Sequence, residues 1–249
     1  KTAYRTSDLE LKKLWDDVRK MNEDNVVLEE TVRNDYSHVI DEDIFQKRAE
    51  DEIILCLNYN GLYGLNNINK LLQLNNPNPT VTLGIWQFKI GDPILFNDSG
   101  RFELLYNNLK GIIVDIRENE AYIYFKIQVD AYFTKTEIQH EHELDYIKHI
   151  NQKTIIGDFA ENRHILPFQV AYAVSIHKAQ GLEYDSVKIV IADETEEKIT
   201  HNIFYTAITR ARKELMIYWS PEVCNRILKR IRPSDYNKDY FLLKAKNNL

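Results

Sequence analysis

The chain has 249 residues, 44% of them hydrophobic, and 32 Lys and Arg against 38 Asp and Glu, a formal net charge of −6. That length allows one large domain or two small ones with a sizeable core, and the acidic balance excludes a chain-wide basic footprint for nucleic acid. Cys56 and Cys224 are too few for a disulfide framework and point to a reducing, cytoplasmic compartment, while short apolar runs broken by charge exclude a membrane-spanning helix.

The chain opens on Lys1 within sequence that already reads as folded, so it is expected to be a piece of a longer protein. Ser7 reads as the N-cap of a charged helix from about Asp8 to Met21, with Asp8 and Glu10 in its first turn. Leu9, Leu11, Leu14, Trp15 and Val18 supply its apolar positions. Residues 26–50 are mixed and acidic and read as helices and loops. Glu52–Asn58 is a buried-type strand, Asn58–Gly64 a turn with two glycines, and Leu65–Leu74 a helix. This unit mimics a phosphate-binding turn, but no Gly-Lys-Ser/Thr follows, so it reads as scaffold. Asn75–Pro79 is a loop and a candidate boundary.

From Val81 short apolar runs alternate with turn residues: Trp86–Ile90, Pro93–Phe96, Gly111–Ile116 and Ala121–Val129. Ile123, Phe125 and Ile127 alternate with Tyr122, Tyr124 and Lys126, which predicts a sheet with two differently used faces. About five short strands predict a small barrel. Tyr106, Tyr122, Tyr124 and Tyr132 are candidates for stacking bases, against the plainer reading of strand aromatics. His140, His142 and His149 have no matching Cys/His set, so no metal site is predicted.

Pro167 marks a return to mixed α/β sequence. An apolar run, Val170–Ser175, breaks into a polar loop carrying His177, Lys178, Gln180, Gly181 and Glu183. A second run follows at Val187–Ile191, then acidic Asp193–Glu197, read as a solvated loop. Phe204, Ile208 and Ala211 have the spacing of one buried helix face, and Leu215–Trp219 is a third apolar run. Strand, loop, strand, helix, strand is the pattern of a parallel sheet covered by helices. Ligands of such sheets sit at the carboxyl ends of the strands, where His177–Glu183 is expected. Residues 225–249 hold seven Lys and Arg and two Asp, a local +5 that reads as a solvated basic helix.

Ser175–Tyr184, SIHKAQGLEY, resembles motif V of superfamily 1 helicases, and Tyr205–Arg212, YTAITRAR, resembles motif VI, in the family's order and separation. Both are closer to the RecD/TraA branch than to the UvrD/Rep branch. Tyr4-Arg5-Thr6 resembles the core of motif IV. Gly91–Phe96 and Asn108–Gly111 resemble the small Src-homology-type barrel inserted in the second motor domain of RecD-like helicases, with Asn107-Asn108 where that family has Asn-Gly. The resemblance implies an α/β fold: a RecA-like parallel sheet with helices on both faces, over residues 1–80 and 166–249, interrupted by the barrel over 81–165.

It also implies a function, the C-terminal half of an ATP-dependent DNA helicase or translocase with 5′ to 3′ travel. Phosphoryl transfer needs positive charge aimed at the transferring phosphate, and arginine supplies it in a permanently charged, planar fork. By resemblance Arg210 is the arginine finger and Arg5 a second catalytic arginine; both bind nucleotide together with Gln180, Gly181 and Glu183. Glu183 contacts ribose or orients the loop, and Gly181 admits close backbone approach. Ser175, His177, Lys178 and Thr206 are implied contacts to single-stranded DNA, joined by Tyr122 and Tyr124 from the barrel. Arg212, about 200° round a helix from Arg210, is assigned a structural role. The implied cofactor is ATP with Mg2+, held mainly by an N-terminal motor domain of the same protein. This chain has no Gly-x-x-x-x-Gly-Lys-Ser/Thr, so alone it is expected to be inactive. The competing reading is a non-catalytic nucleic-acid or partner-binding module derived from a helicase motor domain.

Overall fold

The computed structural model describes residues 6–20, 26–97, 107–118, 122–133, 136–147, 166, 168–192, 199–231, 244 and 246. Two compact units emerge, one of residues 1–65 with 174–249 and one of residues 66–173.

The first unit holds a five-stranded sheet in the order β1-β12-β11-β2-β10. Its strands are β1 (Ser37–His38), β2 (Glu52–Cys56), β10 (Ala173–Ser175), β11 (Tyr184–Val190) and β12 (Ala211–Tyr218). β1 with β12, β12 with β11 and β11 with β2 pair in parallel. Strands buried on both faces need continuous apolar runs, and Ile53–Cys56 and Val187–Val190 are buried throughout. Lys188 is the exception in that run. Its ammonium is bonded to Ile44 O at 3.1 Å, to Gln46 O and to Glu52 Oε1 at 3.1 Å, which fixes the 3₁₀ turn Glu42–Phe45 on the sheet.

Helices flank this sheet. α1 (Leu9–Arg19) buries Leu11, Leu14, Trp15 and Val18. Its N-cap is Asp8 rather than Ser7: the Asp8 carboxylate accepts from the Glu10 and Leu11 amides at 2.9 Å each, a stronger acceptor for the orphan donors than a hydroxyl. α2 (Val26–Thr31) runs into a π turn over Val32–Tyr36 that delivers β1, an edge strand too short for any periodicity to announce. The last helices are α4 (His201–Ile208), capped by Thr200, and α5 (Pro221–Arg230), capped by Ser220 with Pro221 in its first turn. α4 stops at Ile208; Ala211, expected on its buried face, starts β12 instead.

The second unit holds α3 (Leu65–Asn75) from Asn66 onward, a hairpin of β3 (Val81–Leu83) and β4 (Trp86–Phe88), and a five-stranded sheet. Gly84 turns the hairpin at φ +61°. The sheet order is β8-β7-β6-β5-β9, from β5 (Pro93–Phe96), β6 (Lys110–Glu118), β7 (Tyr122–Phe133), β8 (Thr136–Ile147) and β9 (Phe168–Val170), with every neighbour antiparallel. Among the described residues no pairing joins β8 to β9. The period-two pattern reads out in burial: Ile123, Phe125, Ile127 and Val129 face the core, while Tyr124, Lys126 and Gln128 are half-buried on the other face. Phe88, Phe125 and Phe168 meet edge to face at 5.1 to 5.7 Å. The apolar run 170–175, expected as one strand, is split, with β9 pairing in this sheet and β10 in the other.

Asn108 takes φ +67° at the entry to β6, a left-handed posture that Gly adopts freely and Asn tolerates best among side-chain-bearing residues. Its amide donates to Phe96 O at 2.9 Å, which ties the turn to the end of β5. Asp92, fully buried at the turn into β5, is the polar centre of the unit. Its Oδ1 accepts from Tyr172 Oη at 2.8 Å and Asn76 Nδ2 at 2.9 Å, and its Oδ2 from the Lys89 amide at 2.8 Å and from Gln73 Nε2. Burial and that neighbouring carboxylate push the Tyr172 phenol well above its ordinary value. No helix among the described residues is long and apolar enough to cross a membrane.

Candidate functional site

The polar loop starts level with the end of β2, where the Ile176 amide donates to Cys56 O at 3.1 Å. Ser175 closes the loop's first turn on itself: its Oγ accepts the Lys178 amide at 3.2 Å and its carbonyl the Ala179 amide at 3.1 Å. The Ser175 hydroxyl expected on DNA is therefore buried and engaged with its own loop. His177 and Gln180 are exposed, Lys178 and Glu183 half-buried. Burial draws the Lys178 ammonium below its ordinary pKa. Gly181 turns at φ +90° with open space around its Cα, a posture that leaves the backbone approachable.

The loop does not stay at the carboxyl edge. β11 runs parallel to β2 with Val190 opposite Cys56, so its first residue, Tyr184, sits at the other edge, beside Ala211. Residues 176–183 must cross the height of the sheet to start a parallel strand. Only Ser175, His177 and the start of the loop lie at the carboxyl ends; Leu182–Tyr184 lie where β11 and β12 begin. The expectation that all of His177–Glu183 occupies the carboxyl edge is corrected accordingly.

Arg210 lies in the turn between α4 and β12, not on the helix. Thr209 ends the helix, its hydroxyl engaged with Tyr205 O at 2.9 Å and Thr206 O at 3.0 Å. The Arg210 guanidinium donates from Nε to Thr206 O at 2.8 Å, from Nη1 to Leu182 O at 2.9 Å and from Nη2 to Thr209 Oγ1 at 3.0 Å. A cation at a helix C-terminus meets the negative end of the helix dipole, which favours this posture. Arg210 is 6% exposed. Its carbonyl also accepts the Tyr184 amide at 2.9 Å, so this one residue ties the end of the polar loop to the end of α4. In this conformation the guanidinium faces the chain's own carbonyls.

Around it the same edge is held by ion pairs. Arg212, the first side chain after Ala211 in β12, reaches Asp51 at 2.6 Å and Asp185 at 2.8 Å, and Lys213 reaches Asp185 at 2.7 Å. Lys213 and Arg212 hold the Asp185 carboxyl below its ordinary pKa. Thr6, buried, donates its hydroxyl to Arg212 O and accepts the Asp8 amide at 3.0 Å. Arg5 lies outside the described residues. The structure thus brings Thr206, Arg210 and the Leu182–Tyr184 segment together, and sets Ser175 and His177 at the opposite edge. Tyr124 belongs to the other unit, on the half-buried face of β7. The side chains of Tyr122 and Tyr132, and Tyr106, His149 and Asp193–Glu197, lie outside the described residues, as do the side chains of His140 and His142. Sequence reasoning missed Leu182 and Thr209 as partners of Arg210. The only signal available was that a Thr directly preceding the Arg at a helix end is a natural acceptor for it.

Residues 170–218 match the family model of the UvrD-like helicase C-terminal domain. The RecD subunit of the RecBCD enzyme from Buchnera aphidicola is 25% identical over 184 residues, covering 71% of this chain and 26% of that protein. RecD from Mycolicibacterium smegmatis is 24% identical over 173 residues, 68% of this chain and 25% of that protein. The chain therefore spans about a quarter of the length of these relatives. Among solved structures, the Pif1 helicase from Bacteroides in complex with ADP-AlF3 and single-stranded DNA aligns over 98% of this chain and 56% of its own, with a TM-score of 0.54 and 14% identity. The Pif1 helicase from Candida albicans aligns over 95% and 58%, with a TM-score of 0.53 and 13% identity. At such identities the structural likeness establishes the fold. The family match on the two motifs at the core of the sheet and the likeness to RecD over most of the chain's length support a superfamily 1 helicase C-terminal domain of the RecD-like type.

Proposed function

We propose that this chain supplies the second motor half of an ATP-dependent DNA helicase that travels 5′ to 3′ along a single strand, with the nucleotide gripped by an N-terminal motor domain of the same protein. The observation that carries this reading is the Arg210 guanidinium bridging Leu182 O and Thr206 O, a fixed positive charge where the motif V loop and the end of α4 meet. ATP with Mg2+ supplies the phosphoryl group whose loss drives stepping. The donor set here fits a phosphate: five guanidinium N–H groups on a permanent cation. On this reading the metal's ligands lie mainly on the other motor domain.

Arg210 waits on neutral carbonyls. A phosphate oxygen is an ionised acceptor, and bonds to it are about twice as strong as neutral ones. Arg210 leaves its carbonyls for the phosphate, acting as the arginine finger, and Arg5 joins it from the residue before Thr6. Release of Leu182 O loosens the loop whose far end carries Ser175, His177 and Lys178. That loop is the lever between nucleotide and strand. Gln180, Gly181 and Glu183 stand in its middle and end, where they contact nucleotide, and Thr206 follows the helix end toward the strand. The segment 81–165 forms the inserted barrel, with Tyr122 and Tyr124 on bases. Tyr124→Ala is expected to weaken single-strand binding by about 1–3 kcal/mol, read by fluorescence anisotropy; an unchanged affinity makes Tyr124 a strand residue only.

The near-complete burial of Arg210 favours a second reading, in which it is a permanent clip and the chain is a non-catalytic module that binds nucleic acid or a partner. Strand displacement by the full-length protein decides between them. On the first reading, ATP drives unwinding of a duplex with a 5′ single-stranded tail and not of one with a 3′ tail. Full-length protein that hydrolyses no ATP in the presence of DNA leaves the second reading. Unwinding from the 3′ tail alone overturns the polarity.

A further inference from the structure

The carboxyl edge of the first unit carries a second loop that the proposed function does not use. β2 ends at Cys56 and passes into the turn Asn58–Gly64, directly beside the start of the motif V loop at Ile176. The turn is built to hold one shape. Asn58 Nδ2 donates to Asn60 O at 2.6 Å, the Leu65 amide closes back on Asn58 O at 3.0 Å, and the Gly64 amide on Gly61 O at 3.1 Å. Gly61 takes φ +97°, and a Cβ at Gly64 would collide with the Asn60 carbonyl. On this fixed frame two apolar side chains stand in solvent: Tyr59 is 58% exposed and Leu62 77%.

Tyr59 and Leu62 stand three positions apart on one rigid turn, and an exposed apolar pair rimmed by polar groups marks a binding surface. Their neighbours name its occupant. β10 is the hydrogen-bonded neighbour of β2, so the loop that leaves it beside this turn carries exposed His177 and half-buried Lys178, hydrogen-bond donors suited to phosphate. An aromatic face beside cationic donors is the arrangement that holds a single strand, the ring under a base and the cation on the backbone. We infer that Tyr59, supported by Leu62, is a stacking platform for one nucleobase of the single-stranded DNA tracked at the carboxyl edge of this sheet. The inference rests on the helicase reading above and adds a base contact to that side of the site.

The test uses the full-length protein and two fluorescent probes of equal length, oligo-dT and an abasic strand that keeps the sugar-phosphate chain. Tyr59→Ala is expected to lower affinity for oligo-dT about tenfold and to leave the abasic strand bound as by the parent, while Tyr59→Phe binds both like the parent. An unchanged oligo-dT affinity in Tyr59→Ala, or an equal loss on both probes, overturns the platform and leaves the helicase reading standing. A parent protein that binds neither probe overturns the helicase reading and the platform with it.

Discussion

Full-length protein carrying Arg210→Ala is expected to hydrolyse ATP, at saturating DNA, about 10³-fold more slowly than the parent. On the proposed reading Arg210 both holds its own carbonyls and meets the phosphate. Its guanidinium satisfies Thr206 O, Leu182 O and Thr209 Oγ1 at 2.8 to 3.0 Å. Truncation to Ala removes the charge and also strips these acceptors, at about 1–3 kcal/mol for buried groups left unpaired. A rate loss in Arg210→Ala alone would therefore fit either a finger or a clip. Arg210→Gln separates them. Its amide still donates toward the loop carbonyl, so a clip is partly kept, but it carries no charge to set against a developing phosphate. A finger predicts that Arg210→Gln is as slow as Arg210→Ala, with KM for ATP little changed, since an interaction made only in the transition state lowers turnover and leaves ground-state binding alone. Turnover within a few-fold of the parent in Arg210→Gln refutes the finger and makes Arg210 the bolt between the loop end and α4.

The same residue marks the limit of what the chain of letters reveals. The chemistry of Ser175–Tyr184 and Tyr205–Arg212 is legible because it depends on residue types in order: a polar loop with one glycine, and an arginine at a helix end. The posture of Arg210 is not, because it depends on Leu182 O, twenty-eight positions away, and on α4 ending at Ile208. Nothing at Thr209-Arg210-Ala211 breaks a helix by propensity. The helix ends because β12 must begin at Ala211 to pair with Tyr184, a tertiary demand that overrides the local spacing. The crossing of loop 176–183 from one sheet edge to the other is hidden for a related reason. A parallel neighbour fixes where a strand starts, and parallel pairing is not written into either strand by itself. β2, β7 and α3 were open to direct reading, since their apolar periods are regular. β8 was not: its Gln139-His-Glu-His-Glu143 stretch has the composition of a charged surface, and only its pairing with β7 along twelve residues makes it a strand.

Asp92→Ala is expected to lower the stability of the unit spanning residues 66–173 by about 3–5 kcal/mol, the range for removing one side of a buried, fully bonded charge network. In the sequence Asp92 only precedes the apolar run Pro93–Phe96; the structure makes it a hub. Four donors converge on one fully buried carboxylate: the Lys89 amide, Tyr172 Oη, and the side-chain amides of Gln73 and Asn76. They come from the end of α3, the link between β4 and β5, and the second residue past β9, so the one side chain gathers three separate segments. Gln73 and Asn76 are partly exposed and can turn to water when the carboxylate goes. The Lys89 amide is buried and cannot, and the Tyr172 hydroxyl loses a charged acceptor for none. Charge-assisted bonds contribute about 1.5–3 kcal/mol each, and much of that total is offset by no longer desolvating a carboxylate, which brings the net well below a simple sum of the four. Tyr172→Phe removes a single bond and is expected to cost only about 1–2 kcal/mol. Urea unfolding of the three proteins measures the order directly. A loss under about 1 kcal/mol in Asp92→Ala would mean that the buried charge costs as much to hold as its four bonds return, and the hub would then serve to specify the turn rather than to stabilise the unit.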